Sequence, residues 1–240
     1  MGLNTRLFLD MDGVFCDFER GAQEHTGDLS SRDYPDDEFW PLIMKTPFFQ
    51  TLHPMQNAMD LWNGVQAFLE KSGQRIPIFL TGCPKDPFRK AVEAGKEAWV
   101  RKHFLKEGGH IHTLSVPVEA GFDEDAVALS AKAEEILKNS AANDIIMIFC
   151  RPDQKYFFTM AAPIPILLDD RERTGPLWKS VRKDAIFLHH LSMPKKKANY
   201  MNKARRDTLS ENAVKNSVKS LAAMKGGRRA ARQTKKRKQY

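Results

Sequence analysis

The stretch Leu7-Phe8-Leu9-Asp10-Met11-Asp12-Gly13-Val14 decides how the rest of the chain is read. Three apolar residues run straight into two carboxylates one residue apart, and a glycine follows. This is the pattern of a buried strand ending in a sharply turning acidic loop. If the strand is central in an α/β sheet, both carboxylates stand at its carboxyl edge. Open sheets hold their ligands there, and the two acids come within reach of one metal ion and one phosphate.

Working outward, Ile76-Pro77-Ile78-Phe79-Leu80 reads as a second strand and runs into Thr81-Gly82-Cys83-Pro84-Lys85. A hydroxyl, a glycine and a lysine at a strand's carboxyl end suit a phosphate cradle. Strands are expected at residues 111–118, 145–149 and 185–188. Another at 164–168 enters Asp169-Asp170-Arg171, with Pro165 placed at its start because proline cannot serve mid-sheet. Helices are expected at 88–104, 124–138 and 175–182. This alternation argues for a parallel α/β sheet.

Residues 17–73 interrupt the sheet as an inserted helical cap. They hold a short helix (18–25), a polar loop (30–37), an aromatic segment broken by Pro41 and Pro47, and a clear helix. In that helix Met59, Trp62, Val65, Phe68 and Leu69 keep one buried face and Gly73 supplies the stop. The expected organisation is an α/β core of residues 1–16 and 74–193, a cap of residues 17–73, and a basic tail of residues 194–240. In the tail, Thr208-Leu209-Ser210-Glu211 fits a capping box. Val214, Val218, Leu221 and Met224 form one apolar stripe, and residues 228–238 carry too little apolar surface to fold alone.

Charge divides along the same line. From residue 195 to 240, sixteen Lys/Arg stand against two acids, net +14; residues 1–194 hold 22 Lys/Arg and 28 acids, net −6. The composition, 42% hydrophobic and 10% aromatic, suits one globular core and excludes disorder throughout. Cys16, Cys83 and Cys150 are odd in number and far apart, which indicates neither a disulfide framework nor a zinc site. No apolar run is long enough to span a bilayer, the opening residues are too short for a secretory signal, and Arg6 spoils a myristoylation motif at Gly2. The expectation is a cytoplasmic protein without membrane partners, one that a basic tail could carry to the nucleus in a eukaryotic host.

Four features therefore stand at strand ends: Asp10/Asp12, Thr81 with Lys85, Lys155, and Asp169/Asp170. In this order they describe phosphoryl transfer. One carboxylate is the nucleophile and another the acid/base, a hydroxyl and ammonium groups hold phosphate oxygens, and further acid completes a Mg²⁺ shell. His189-His190 lacks neighbouring ligands and reads as structural.

This order resembles the haloacid dehalogenase superfamily of phosphatases. Within it, Asp10-Met11-Asp12-Gly13-Val14-Phe15-Cys16-Asp17-Phe18-Glu19 is similar to the motif of the 5'(3')-deoxyribonucleotidases. Phe39-Trp40, Thr81 with Pro84 and Lys85, Lys96-x-x-Trp99-Val100-x-x-His103-Phe104, Arg151 with Lys155, and Leu167-Leu168-Asp169-Asp170-Arg171 extend the likeness over residues 7 to about 190, apart from 105–143. The resemblance implies that Asp10 forms an aspartyl-phosphate and that Asp12 protonates the leaving oxygen and then activates water. It implies Mg²⁺ on the Asp10 side chain, the Asp12 backbone carbonyl and Asp170, with Asp169 in support. It implies Thr81, Lys85 and Lys155 on the phosphate, and Phe18, Phe39 and Trp40 lining a cap pocket for a nucleobase. The expected function is that of a Mg²⁺-dependent hydrolase releasing phosphate from nucleoside monophosphates. Two readings stay open beside it: a phosphatase for 3'- or 5'-phosphorylated nucleic-acid ends, served by the basic tail, and a non-catalytic nucleic-acid-binding protein on the same scaffold.

Overall fold

The structure is a computed structural model that describes residues 5–27, 35–160, 164–190 and 203–224. Its centre is a six-stranded, all-parallel sheet. The strands are β1 (Arg6–Leu9), β2 (Ile78–Gly82), β3 (Ile111–Ser115), β4 (Ile145–Cys150), β5 (Pro165–Asp169) and β6 (Ile186–His189), in the order β3-β4-β2-β1-β5-β6. The expected parallel α/β architecture is present. Interior strands buried on both faces read as unbroken apolar runs, which is why Leu7-Phe8-Leu9 and Ile145–Cys150 lack alternation.

Alternate side chains feed two cores. Leu7, Leu9, Phe79 and Phe149 face α1 (Phe18–Thr26), α2 (Asp36–Ile43), α3 (Phe48–Thr51), α4 (Ala58–Ser72) and α5 (Arg89–Phe104). Phe8, Ile78, Leu80 and Leu167 face α6 (Asp123–Asn139), the 3₁₀ helix Pro152–Thr159 and α7 (Thr174–Ser180). The segment expected as a cap shares the first core with the sheet, since Phe48, Phe49 and the inner face of α4 belong to it. That inner face is Leu61, Trp62, Val65, Phe68 and Leu69. Met59, expected among them, is 52% exposed. At 3.6 residues per turn it lies about 160° around the helix from Leu61.

The expected apolar stripe of the C-terminal part finds its partner in the body. In helix α8 (Lys203–Ala223), Val214 and Leu221 are buried in the first hydrophobic cluster and Val218 lies on Gly64 of α4. A Cβ at Gly64 would stand 2.8 Å from a Val218 methyl, so the glycine is what lets the two helices approach. The capping box at Thr208 falls inside this helix, which starts five residues earlier. The expected disorder of residues 228–238 lies outside the described residues.

Strand order also sets where a ligand can sit. From β1 the chain moves to β2, β3 and β4 on one side and then crosses to β5 and β6 on the other. The crevice at such a switch point opens outside the carboxyl ends of β1 and β5.

Candidate active site

Leu9, in register with Leu168, places Asp10 beside Asp169, and the Asp10 amide donates to the Leu168 carbonyl at 2.8 Å. The loop after β1 closes on itself: the Met11 carbonyl accepts from the amides of Val14, Phe15 and Cys16, and Gly13 N–H donates to Cys16 O. Gly13 adopts φ +72°, and a Cβ there would sit 2.5 Å from Asp170 Oδ2. Only glycine satisfies both the turn and the close approach.

Asp10, Asp169 and Asp170 each offer a carboxylate oxygen within 4.8 Å of the others. Lys155, carried by the 3₁₀ helix, donates to Asp10 Oδ2 and Asp169 Oδ2, both at 2.8 Å, and is 2% exposed. Asp10 Oδ1 accepts from the Met11 amide and Asp169 Oδ1 from the Arg171 amide. Burial opposes the Lys155 charge, but Asp10 and Asp169 outweigh it and raise its pKa. Lys155 has spent two of its three hydrogens on these acids, so one remains.

Asp170 differs from its neighbours. Its Oδ1 is shielded from solvent and has no hydrogen-bond partner, and burial with the charges of Asp10 and Asp169 pushes its pKa up to about 8. Such a group invites either a proton or a cation. The donors are hard carboxylate oxygens, which fit Mg²⁺ and do not suit a soft transition metal. Asp10 and Asp170 would hold the ion, with Asp169 fixed beside them.

Asp12 faces the other way. Lys96 of α5 donates to Asp12 Oδ2 at 2.7 Å, to Thr81 Oγ1 at 2.8 Å and to the Gly82 carbonyl at 2.7 Å. The lysine is 0% exposed, and burial works against a charge that Asp12 restores, leaving its pKa raised. The Cys16 thiol adds a weak bond to Asp12 Oδ1 at 3.4 Å.

Lys85, expected beside Thr81, is exposed beyond β2, and its charge acts on Asp153 instead. Lys96 occupies that place because α5 folds back over the end of β2. Arg171, to which the sequence assigns no role, also belongs to the site. It is half-buried, and although burial opposes its charge, Asp10, Asp170, Asp12 and Asp169 raise its pKa. Among the described residues its guanidinium makes no hydrogen bond or ion pair, so its donors are unspent. Arg151 turns away to Asp153 and the Val118 carbonyl.

The aromatic residues expected to receive a base are mostly occupied with one another. Phe18 lies 6.1 Å from Phe39, 5.4 Å from Phe48 and 5.9 Å from Phe49, and Phe39 is buried. Trp40 is half-buried and meets Phe39 edge-on. Phe49 in turn lies under the Lys96 ammonium at 5.1 Å, so this cluster forms the floor beneath the Lys96 side of the site.

Compared with known proteins, the chain matches no protein-family model, no curated protein and no solved structure. No helix among the described residues is long and apolar enough to cross a membrane.

Proposed function

We propose that the chain is a Mg²⁺-dependent phosphomonoesterase, a hydrolase that releases inorganic phosphate from a nucleotide through an aspartyl-phosphate on Asp10. The observation that carries this reading is the meeting, at one switch point, of the Asp10–Asp169–Asp170 cluster with the Asp12–Lys96–Thr81 chain. The order of motifs shared with haloacid dehalogenase phosphatases supports it.

Each residue has a role its surroundings allow. Asp10 is held at both oxygens, so its carboxylate is fixed for attack on phosphorus. As the P–O bond to the leaving group breaks, Asp12 delivers a proton to the leaving oxygen. Asp12 then takes a proton from water, whose oxygen attacks the phosphorus and returns Asp10 as carboxylate. Thr81 accepts from Lys96 and keeps its own hydrogen for a phosphate oxygen. The remaining Lys155 hydrogen and the Arg171 guanidinium supply cationic donors. Bound Mg²⁺ would neutralise charge between the nucleophile and the phosphate. Lys96 has no donor left for substrate and acts as a positioning residue for Asp12.

The test is phosphate release across nucleoside 5'- and 3'-monophosphates and small sugar phosphates, with Mg²⁺ and with EDTA. The expected result is metal-dependent release from nucleotides that Asp10→Asn removes. Retention of release in Asp10→Asn would overturn the mechanism.

A further inference from the structure

We infer that His189 and His190 are positioning residues, which clamp the main chain that aims Asp170 and couple cation binding at the acidic cluster to the docking of α8. The inference rests on the cation site of the reading above and not on the hydrolysis assigned to it.

The Asp170 carboxylate lacks what holds its neighbours. Asp10 and Asp169 are each fixed at both oxygens, whereas Asp170 Oδ1 is shielded from solvent without a hydrogen-bond partner. Its direction is therefore set by its main chain, and β6 supplies two hydrogen bonds there. Asp169 and His189 are in register, and the His190 backbone N–H donates to the Asp169 carbonyl at 2.9 Å. The His189 ring reaches one residue further, its Nε2 lying 2.9 Å from the Asp170 carbonyl. A carbonyl only accepts, so the hydrogen stands on Nε2. Phe187 stacks on that ring, with centroids 6.1 Å apart and planes 21° from parallel. Both peptide carbonyls of the acid pair are thus held from one strand. Partners of this kind orient metal ligands without touching the metal, and losing one costs about 10–100-fold in metal affinity.

Strand β6 is an edge strand, so the clamp is only as firm as what backs it. Its four residues are all half-buried, and α8 packs against them. Ile186 and Leu188 lie on the same hydrophobic cluster as Val214 and Leu221, and Ser217 Oγ meets His190 Nδ1 at 2.9 Å. His190 Nε2 is shielded and unpartnered. A hydrogen there would be a buried donor without an acceptor, so the neutral ring carries its one hydrogen on Nδ1 and donates it to Ser217. One residue thereby joins α8 through its side chain and the acidic cluster through its main chain. A cation that fixes the acid pair steadies this edge, and by reciprocity a docked α8 favours the cation.

The experiment uses the full chain with His189→Phe, His189→Gln and Ser217→Ala. Phe keeps a ring to stack on Phe187 and removes the donor, whereas Gln carries an amide N–H to about the same place. Mg²⁺ affinity is measured by titration calorimetry at pH 8.5. His189→Phe should bind Mg²⁺ about tenfold more weakly than the wild type or worse, with His189→Gln between them and nearer the wild type. A ring that only filled space would give the opposite order, so His189→Phe binding as well as the wild type overturns the clamp and leaves the cation site standing. Absence of Mg²⁺ binding in the wild type removes the cation site and the clamp with it. Hydrogen exchange reads the coupling. In the wild type Mg²⁺ should slow the amides of residues 211–222 in α8 about fivefold more than those of α6, which packs on the opposite core, and Ser217→Ala should shrink that difference. Equal slowing in the two helices, or a difference that Ser217→Ala leaves intact, overturns the coupling.

Discussion

Lys96 Nζ has three hydrogens and three acceptors within 2.8 Å, so its whole donor capacity is spent on the protein. Lys96→Met should lower kcat by about 10²–10⁴-fold, the range for lost acid–base catalysis, with KM changed only a few-fold. Arg171→Gln should do the reverse and raise KM, because its unspent guanidinium serves binding; steady-state kinetics with Mg²⁺ separates the two. The sequence held a signal for Lys96 that nearness to Thr81 obscured. Val92, Lys96 and Val100 fall at i, i+4 and i+8, which sets the lysine on the buried stripe of α5, whereas Lys85 is merely close in sequence. Arg171 carried no comparable signal, since a residue after an acid pair can turn either way. Asp170 gives a pH prediction. With a pKa of about 8 in the metal-free chain, it must release a proton when a cation binds. Mg²⁺ affinity should therefore rise by about tenfold per unit up to pH 8 and level off above it. Calorimetry at pH 6, 7 and 8.5 checks this, and a flat profile would remove Asp170 from the ligand set.

At the scale of elements, α8 was the least legible part of the fold. Its apolar stripe, Val214, Val218, Leu221 and Met224, was readable, but nothing in the basic sequence around it said that α4 would be its partner. The pairing depends on Gly64: Gly64→Val should cost about 1–3 kcal/mol by forcing Val218 aside, measured by urea unfolding. His190, whose Nδ1 meets Ser217 Oγ of α8 at 2.9 Å, gives the docking of that helix against the end of β6 a pH dependence. Burial, aided by His189, lowers its pKa to about 4, whereas in the unfolded chain it titrates near 6.5. Its stabilising contribution is complete above pH 6.5. As pH falls from 6.5 to 4 the unfolded chain takes up a proton that the folded chain refuses, and about 3 kcal/mol is lost. His190→Leu should lower stability at pH 7 yet flatten this acid slope. Strand β3 was hard to read for a related reason: as an edge strand it leaves Thr113 and Ser115 exposed, so its apolar run is diluted. The interior strands β1, β4 and β5 were plain because both their faces are covered.

Taken whole, the molecule is a sheet with helices on both faces, its chemistry gathered where the chain changes direction between β1 and β5. That arrangement was legible because acids at strand ends are costly unless used, and the chain carries them after both strands. The packing of α8 on α4 has a consequence for synthesis. The inner face of α4 is made early, yet Val214 and Leu221, which share its core, follow only some 150 residues later in the chain. At about 5–20 residues per second, that strip waits on the order of ten seconds without its lid. The newborn chain therefore passes through a sticky interval that closes only once α8 has been made, and a chain stopped at residue 202 should bind apolar dyes and aggregate where the full chain does not.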